Sequence, residues 1–318
     1  MAYQDRWVRG ETLAHGDRAC ESRYGLIRSV VAEYRRPTTV WDLGANLGYF
    51  GCRLADEFGA VAVMVESRPG LADACRQNAI HTTVAMTQRI SAQDLAEMAA
   101  SEHADVVLCL NVLHHMHDWK LALDAVMALG QDIVIETPGR DDIGSASYTR
   151  SQWILTALEE LGGTIIGWSD SHVTSGIKRP VYRFTRRKTY VSAGYAYRAR
   201  VRARGAHPPR EHHIISTHDE KSVTFVGESS RPWAHGVNLW NWLQMGGSYP
   251  DRADVRRMVQ EAAETLQAPH GDFRPWNLIL QGQSVQVIDH AHRKSVEDAD
   301  GLAYTLACID HPEMAYAR

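Results

Sequence analysis

The residues with the clearest chemical potential lie in a glycine-containing stretch that reads Val40-Trp-Asp-Leu-Gly-Ala-Asn-Leu-Gly48. The apolar residues before Gly44 predict a short buried strand, and the two glycines predict a tight turn into a helix that begins near Tyr49. A glycine accepts positive φ and lets a ligand approach the backbone, while N–H groups at the start of the next helix would face that ligand. The stretch therefore predicts a binding site at a strand-to-helix turn.

Two later strands end in polar side chains that could complete this site. Residues 61–66 are apolar up to Glu66, which follows the turn at about the 20-residue spacing at which such folds offer a carboxylate to ribose hydroxyls. Residues 105–111 form another apolar run that ends at Asn111. Because strands alternate with helices here, we expect parallel strands joined by right-handed crossovers.

Taken together, these motifs resemble the class I S-adenosylmethionine-dependent methyltransferases over about residues 20–188. The resemblance is carried by Asp42-x-Gly44-x-Asn46-x-Gly48, then Glu66, then Asn111-Val-Leu-His114-His115. It implies an α/β fold with a Rossmann-like seven-stranded sheet that closes with an antiparallel pair at residues 164–168 and 180–185. Dinucleotide dehydrogenases carry G-x-G-x-x-G at this turn, and the present chain does not.

The resemblance also implies a set of residues that contact S-adenosylmethionine. Gly44 and Gly48 would let the methionine part approach the turn, and Asp42 would orient its ammonium group through water. The full set of expected cofactor contacts is Asp42, Gly44, Asn46, Gly48, Glu66, Ser91 and Asn111. Ser91 also stands where an N-cap is expected, with Asp94 at the third helical position.

Histidines after the fourth strand are the candidate catalytic residues. His114 or His115 could accept a proton from a hydroxyl acceptor, because a histidine has a suitable unperturbed pKa. We expect only one of these neighbours to face the crevice, and we favour His115, with His117 as a third candidate. An acceptor that is already a phosphate or carboxylate would need no base, and an arginine would position it instead.

A second constellation lies near the end of the chain. His270-Gly-Asp272-Phe-Arg-Pro-Trp-Asn277, followed by an apolar hairpin that ends at Asp289, resembles the catalytic loop of aminoglycoside phosphotransferases and other kinase-like folds. The resemblance implies that Asp272 orients and deprotonates a hydroxyl, while Asn277 and Asp289 hold Mg²⁺ against ATP phosphates. The segment has no glycine-rich loop, and Lys221 or one of the arginines is the candidate for the missing strand lysine.

The order of the two constellations predicts two domains, a methyltransferase at residues 1–188 and a smaller, truncated kinase-like α+β domain at residues 189–318. This order resembles the bifunctional enzymes that cap O-antigen polysaccharides, which implies a hydroxylated or phosphorylated, saccharide-like acceptor. The alternatives are an ATP-dependent sugar kinase coupled to methylation and a kinase-like module that only binds substrate. Nucleic acid is disfavoured, because Asn-Val-Leu-His replaces the Asp/Asn-Pro-Pro-Tyr/Phe signature of amino-methyltransferases, although ribose methylation stays open.

Composition narrows the class of protein further. The 318 residues carry a formal charge of −4 and 44% apolar residues, which suits a globular chain without a membrane span. Five scattered cysteines and the lack of a signal-peptide pattern predict reduced thiols and a protein in the cytoplasm, either free or peripheral to a membrane. Residues 198–204 alternate arginine with apolar residues, which predicts either a phosphate-binding strand or a solvated edge strand. The sequence leaves the oligomeric state open.

Overall fold

The computed structural model describes residues 3–18, 20–143, 148–186, 190–193, 211–225, 231–266, 273–288 and 298–315. The elements of the first part are β1 (Arg6–Val8), β2 (Glu11–Ala14), α1 (Glu21–Val31), β3 (Thr39–Leu43), α2 (Tyr49–Phe58), β4 (Val61–Glu66), α3 (Leu71–Asn78), β5 (Thr83–Thr87), α4 (Ala92–Ala99), β6 (Ala104–Leu110), α5 (Trp119–Leu129), β7 (Gly130–Glu136), α6 (Tyr148–Glu160), β8 (Thr164–Asp170) and β9 (Lys178–Thr185). The later elements are β10 (Tyr190–Ala193), β11 (Glu211–Ser216), β12 (Lys221–Phe225), β13 (Arg231–Pro232), β14 (Val237–Asn238), α7 (Leu239–Gln244), β15 (Gly247–Tyr249), α8 (Arg252–Glu264), β16 (Leu278–Leu280), β17 (Val285–Val287) and α9 (Asp298–Asp310).

The central sheet runs in the order β15-β5-β4-β3-β6-β7-β9-β8. Strands β5, β4, β3, β6 and β7 are parallel, whereas β9 and β8 form the antiparallel pair that the sequence predicts at the far edge. The chain adds strands on opposite sides of β3: β4 and β5 follow on one side, and β6 and β7 follow on the other. The crevice at the carboxyl ends of β3, β4 and β6 is therefore the expected ligand site of such a sheet. This Rossmann-like arrangement confirms the predicted α/β class.

Both faces of the central strands β3, β4 and β6 are buried, which explains why these strands are largely apolar. Successive side chains of β3 point to opposite faces, so Val40 belongs to the core beneath α1, α2 and α3, while Trp41 belongs to the core beneath α4, α5 and α6. Every residue of β3 is buried. The central strand is therefore fixed from both sides, and the turn that follows it starts from a rigid position.

The sheet has eight strands rather than the predicted seven. The extra strand is β15, which pairs antiparallel with β5 through Gly247 opposite Met86. A three-residue strand with one turn-forming glycine has too little pattern to be recognised in a sequence. A Cβ on Gly247 would stand 2.2 Å from the Trp242 ring, so only glycine lets the strand lie against α7.

The chain after β9 forms two small sheets and joins the core of the first part. One sheet has the order β10-β11-β12-β13 and the other β14-β16-β17. The predicted hairpin after the Pro275–Asn277 turn is confirmed as β16 and β17. Apolar residues of α7, α8 and α9 share one continuous cluster with α4 and α5. The basic residues 198–204 lie outside the described residues, and no helix among the described residues has the length and hydropathy needed to cross a bilayer.

The residues before α1 form an ordered segment. They contain the antiparallel hairpin of β1 and β2, which is attached to α3 by two hydrogen bonds with Asn78. Asp5 accepts hydrogen bonds from the N–H groups of Gly16 and Cys20, at 2.8 and 3.0 Å, and thereby draws the two ends of this segment together. We call residues 3–18 the N-terminal strap.

Candidate active site

One cavity of about 630 Å³ opens at the crevice predicted by the strand order. Its volume lies within the roughly 300–1,000 Å³ that small-molecule and cofactor sites occupy. The lining residues come from the carboxyl ends of β3, β4, β5 and β6, from the strap and from the loop between β8 and β9, and they include Tyr3, Gly44, Asn46, Glu66, Arg68, Arg89, Ile90, Asn111, His114, His115, His172 and Arg179.

The turn after β3 forms the first wall of the cavity. The N–H groups of Gly44 and Ala45 donate to the Val65 carbonyl at 2.8 and 3.0 Å, which ties the turn to β4. Gly44 has φ of 76°, and a Cβ there would stand 2.5 Å from Cγ2 of Val112. The glycine is therefore required both by its backbone conformation and by the close approach of the chain after β6.

Glu66 faces the cavity from the end of β4, as the sequence predicts. Its Oε2 accepts from the N–H of Asn46 at 2.9 Å, and its Oε1 accepts from the N–H of Arg68 at 2.9 Å and from Ser67 Oγ at 3.0 Å. A carboxylate has about four acceptor positions, so these bonds fix its orientation and leave capacity for a hydroxyl group. An oriented carboxylate acceptor of this kind suits the ribose hydroxyls of S-adenosylmethionine.

Asp42 and Gly48 lie beneath the turn and are not among the residues that line the cavity. Burial raises the pKa of Asp42 to about 7, and its Oδ2 has no hydrogen-bond partner among the described residues. Gly48 has φ of 74°, and a Cβ there would meet Met64 Sδ at 3.1 Å. Gly48 thus serves the packing of α2 on the sheet, and Asp42 keeps one buried oxygen available for a hydrogen-bond donor.

The first turn of α2 faces the strap instead of the cavity, which differs from the expectation for a ligand-facing helix start. Gln4 Oε1 accepts from the N–H groups of Leu47 and Tyr49, both at 3.3 Å. Ser91 also has a structural partner. It caps α4 in a reciprocal capping box with Asp94, as the sequence predicts, while its neighbour Ile90 lines the cavity.

Asn111 connects the cavity to a buried polar network. It has φ of 60°, donates from Nδ2 to Glu136 Oε2 at 2.6 Å, and accepts at Oδ1 from Arg179 Nη1 at 3.0 Å. Glu136 also accepts from Arg18 and Ser169. Asn111 lies at the predicted edge of the crevice, but both ends of its side chain are already bound to protein.

His114 and His115 both line the cavity, so the expectation that only one could face it is wrong. The cause is local, because Leu113–His115 form a tight 3₁₀ turn instead of the start of a long helix. The ring centroids of His114 and His115 lie 4.1 Å apart. His114 is 6% exposed, and neither of its ring nitrogens has a hydrogen-bond partner among the described residues. Burial lowers its pKa to about 3, so the imidazole is neutral.

Sequence reasoning missed the residues that close the other end of the cavity. Tyr3 belongs to the strap, and its ring meets the edge of His172 with centroids 5.1 Å apart. Arg179 is 2% exposed and binds Asp142 through Nε at 2.6 Å. His172 and Arg179 lie in a run without acidic residues from position 171 to position 210, whereas Tyr3 lies outside this run. These side chains have no local motif, since strap and hairpin loop meet only in the fold.

The kinase-like constellation is partly described. Asp272 and Asp289 lie outside the described residues, while Asn277 is fully buried in the turn before β16. Lys221, considered above for contact with ATP, is also buried, with Nζ 3.1 Å from Asp105 Oδ1. Among the described residues no group of three or more His, Cys, Asp or Glu is arranged to hold a metal ion. The magnesium site therefore stays a prediction.

Comparison with known proteins gives one family match. Residues 41–129 match a family model described as a methyltransferase domain, and no curated protein matches the sequence. Among solved structures, WbdD with the kinase inhibitor LY294002 is 18% identical, with a TM-score of 0.46 over 86% of this chain and 76% of that one. A second WbdD structure, described as a bifunctional kinase-methyltransferase, is 16% identical, with a TM-score of 0.45 over 92% of this chain and 81% of that one.

Another similar structure is the N-terminal domain of EvdMO1 with S-adenosylhomocysteine and D-fucose, at 14% identity and a TM-score of 0.44 over 58% of this chain and 91% of that one. Because these TM-scores are below 0.5, the identification rests on the family model and on the cavity. The matched residues contain the turn after β3, Glu66 and both cavity histidines. The chain therefore contains a methyltransferase domain and is an S-adenosylmethionine-dependent enzyme.

Proposed function

We propose that the protein transfers a methyl group to an oxygen of a hydroxylated or phosphorylated, saccharide-like acceptor. The observation that carries this proposal is that one cavity holds both halves of the required site. Gly44, Asn46 and Glu66 line it together with His114 and His115, and we refer to these two groups of residues as its first and second ends. The resemblance in domain order supports a saccharide-like acceptor. The polar residues at the second end support an oxygen as the atom that receives the methyl group.

The first end would hold the cofactor through the backbone of the turn and through Glu66. Glu66 is already oriented by the N–H groups of Asn46 and Arg68, so it can accept ribose hydroxyls without rearranging. Ile90 on the adjoining wall offers an apolar surface for the adenine ring of the cofactor. When bound, S-adenosylmethionine supplies an activated methyl group on a sulfonium.

The second end would bind and align the acceptor, which is most of what methyl transfer requires of the protein. A neutral His114 can accept a hydrogen bond from an acceptor hydroxyl, and His115 can do the same from the rim. The turn at Leu113–His115 fixes both rings close to Val112, which contacts Gly44. The acceptor therefore lies next to the methionine end of the cofactor site.

Binding of S-adenosylhomocysteine to the full chain tests this proposal by calorimetry. We expect the wild type to bind, and we expect Glu66→Ala to weaken binding by at least about tenfold, because hydrogen bonds to a charged group contribute about 1.5–3 kcal/mol. Asp124→Ala is the matched control, since Asp124 is an exposed carboxylate on α5 outside the cavity. A wild type that does not bind the compound would remove the proposal.

We keep the kinase-like identity of residues 189–318 as a separate proposal, with the domain division near residue 188. It is supported by the Pro275–Asn277 turn followed by β16 and β17 in the expected order. The buried Lys221 favours the version in which this segment binds substrate or supports the sheet without phosphotransfer. A rise in melting temperature with ATP and Mg²⁺ that is lost in Asp289→Asn would instead establish a working nucleotide site.

A further inference from the structure

The acceptor end of the cavity has an unusual balance of charge. Glu66 is the single carboxylate among the described residues that line the cavity. It lies at the cofactor end, where the backbone N–H groups of Asn46 and Arg68 hold it in place. The acceptor end presents Tyr3, His172, Arg179 and the two histidines of the Leu113–His115 turn. This wall offers hydrogen-bond donors to a ligand, and the charge of Arg179 is balanced behind the wall by the buried carboxylate of Asp142.

Arg179 is an oriented donor in this wall. Its Nε donates to Asp142 at 2.6 Å, Nη2 lies 3.3 Å from Ser171 Oγ, and Nη1 donates to Asn111 at 3.0 Å. A guanidinium carries five N–H hydrogens, so one hydrogen on Nη1 has no partner among the described residues. The three bonds prevent the side chain from turning away, and the remaining hydrogen belongs to a residue that lines the cavity.

Tyr3 is a second donor whose polarity is enhanced by an arginine behind it. Arg18 Nη1 donates to Tyr3 Oη at 2.8 Å, which makes the phenol oxygen an acceptor and leaves its own hydrogen without a partner among the described residues. The Tyr3 ring packs edge-on against His172 at 5.1 Å between centroids. The strap therefore delivers an O–H group to the same wall as Arg179.

The histidines of the wall are donors as well as acceptors. Burial, and then His115, Arg179 and Arg18, lower the pKa of His114, and burial, Arg18 and Arg179 lower that of His172. Burial is the largest cause at both rings, and at His172 the carboxylates of Asp142 and Glu136 oppose the effect of the two arginines. The lowered pKa values favour neutral imidazoles, each of which carries one N–H donor. A histidine with so low a pKa is a weak base for a hydroxyl group.

We propose that the acceptor atom is an oxygen of an acid, either a carboxylate or a phosphate, and that Tyr3, His172 and Arg179 bind this acid. This inference rests on the proposed function and adds the class of acceptor to it. A lone pair of the acid oxygen forms the new O–CH₃ bond while the C–S bond breaks, and the electron pair leaves with the sulfur as a neutral thioether. No proton moves in this step, so the weak basicity of His114 is no obstacle.

The test uses full-length protein saturated with S-adenosylhomocysteine and three sugars that differ only at C6. Calorimetry would measure the binding of D-glucuronate, D-glucose 6-phosphate and D-glucose. We expect at least one acidic sugar to bind about tenfold or more tightly than glucose, because charge-assisted hydrogen bonds are worth roughly twice neutral ones. Equal affinity for all three sugars would overturn the inference, whereas failure of S-adenosylhomocysteine itself to bind would overturn the proposed function.

A variant assigns the effect to the wall. Tyr3→Phe keeps the ring against His172 and removes the O–H donor, so we expect weaker binding of the acidic sugar by about tenfold with unchanged affinity for S-adenosylhomocysteine. Tyr148→Phe is the matched control, because that hydroxyl donates to the Arg140 carbonyl outside the cavity. Arg179→Lys is the second variant, and unchanged affinity for the acid in both Tyr3→Phe and Arg179→Lys would overturn the inference.

The two sources of acid are separated by the chemistry of the product. With S-adenosylmethionine labelled in the methyl group, a carboxylate acceptor gives a methyl ester that releases labelled methanol in mild alkali. A phosphate acceptor gives a methyl phosphodiester that keeps the label under the same treatment. Transfer to glucose at the rate of the acidic sugars would show an ordinary hydroxyl acceptor and would contradict the inference.

Discussion

Replacing Lys221 with methionine should destabilise the whole chain. Lys221 lies on β12, its side chain is fully buried, and its Nζ is 3.1 Å from Asp105 Oδ1 on β6. The same nitrogen donates to the carbonyl of His103 at 3.1 Å. Burial alone would raise the pKa of Asp105, but Lys221 and Arg36 hold it well below its usual range. Lys221→Met leaves a buried carboxylate with fewer counter-charges.

The magnitude follows from the contacts that remain. Removing one partner of a buried ion pair costs about 3–5 kcal/mol. Arg36 Nη2 stays 2.8 Å from the Asp105 carboxylate, and the N–H of Thr39 donates to it at 2.8 Å, so we expect the lower end, about 3 kcal/mol. Urea unfolding of the full chain would show this as a lower midpoint, by about 1 M for a slope near 3 kcal/mol/M.

A matched control and a double variant make the result decisive. Lys120→Met removes an exposed lysine from α5 and should change the free energy of unfolding by less than about 0.5 kcal/mol. Adding Asp105→Asn to Lys221→Met should recover part of the loss, because the uncompensated charge is then gone. A loss below about 1 kcal/mol in Lys221→Met would refute the structural role argued for this pair.

Three further outcomes are expected. Burial raises the pKa of Asp42 to about 7, so ionisation of this carboxyl group disfavours the folded state as the pH rises from about 4 to 7. In urea unfolding, Asp42→Asn should match the stability of the wild type at pH 4 and exceed it at pH 8 by up to about 4 kcal/mol. Equal stability of the two proteins at pH 8 would contradict this. Gly44→Ala should lower stability by about 1–3 kcal/mol and weaken calorimetric binding of S-adenosylhomocysteine, whereas Gly59→Ala, also at positive φ but with open space around it, should affect stability alone. Gly247→Ala, which would press on Trp242, should lower the melting temperature, and an unchanged temperature would argue against β15 as a sheet strand.

The sequence contains enough information to predict the parallel sheet and the part of the cavity that we propose to hold the cofactor. Those parts depend on short-range patterns, such as the apolar run of β3, the turn at Gly44 and the carboxylate of Glu66 at the end of β4. Each pattern is local, because a strand, a turn and the following helix are contiguous in the chain. The capping box at Ser91 was predictable for the same reason.

The part of the cavity that we propose to bind the acceptor could not be predicted, because its residues meet only through tertiary structure. Tyr3 comes from a segment without periodicity, and Arg179 comes from a hairpin whose partner strand is β7. The pattern also misled at His114 and His115, where a 3₁₀ turn replaces the expected helix and exposes both rings to one cavity. Helix geometry would have separated the two rings, whereas this turn brings them together.

The pairing of β15 with β5 has a consequence for biosynthesis. Thr87 and Ser248 hydrogen-bond across this edge although they are 161 residues apart in the chain. During synthesis, β5 leaves the ribosome long before its neighbour exists, so the growing polypeptide presents an open strand edge that can recruit other chains. A truncated polypeptide that ended before residue 247 would leave the edge of β5 uncovered. We expect chaperones and proteases to bind such a polypeptide.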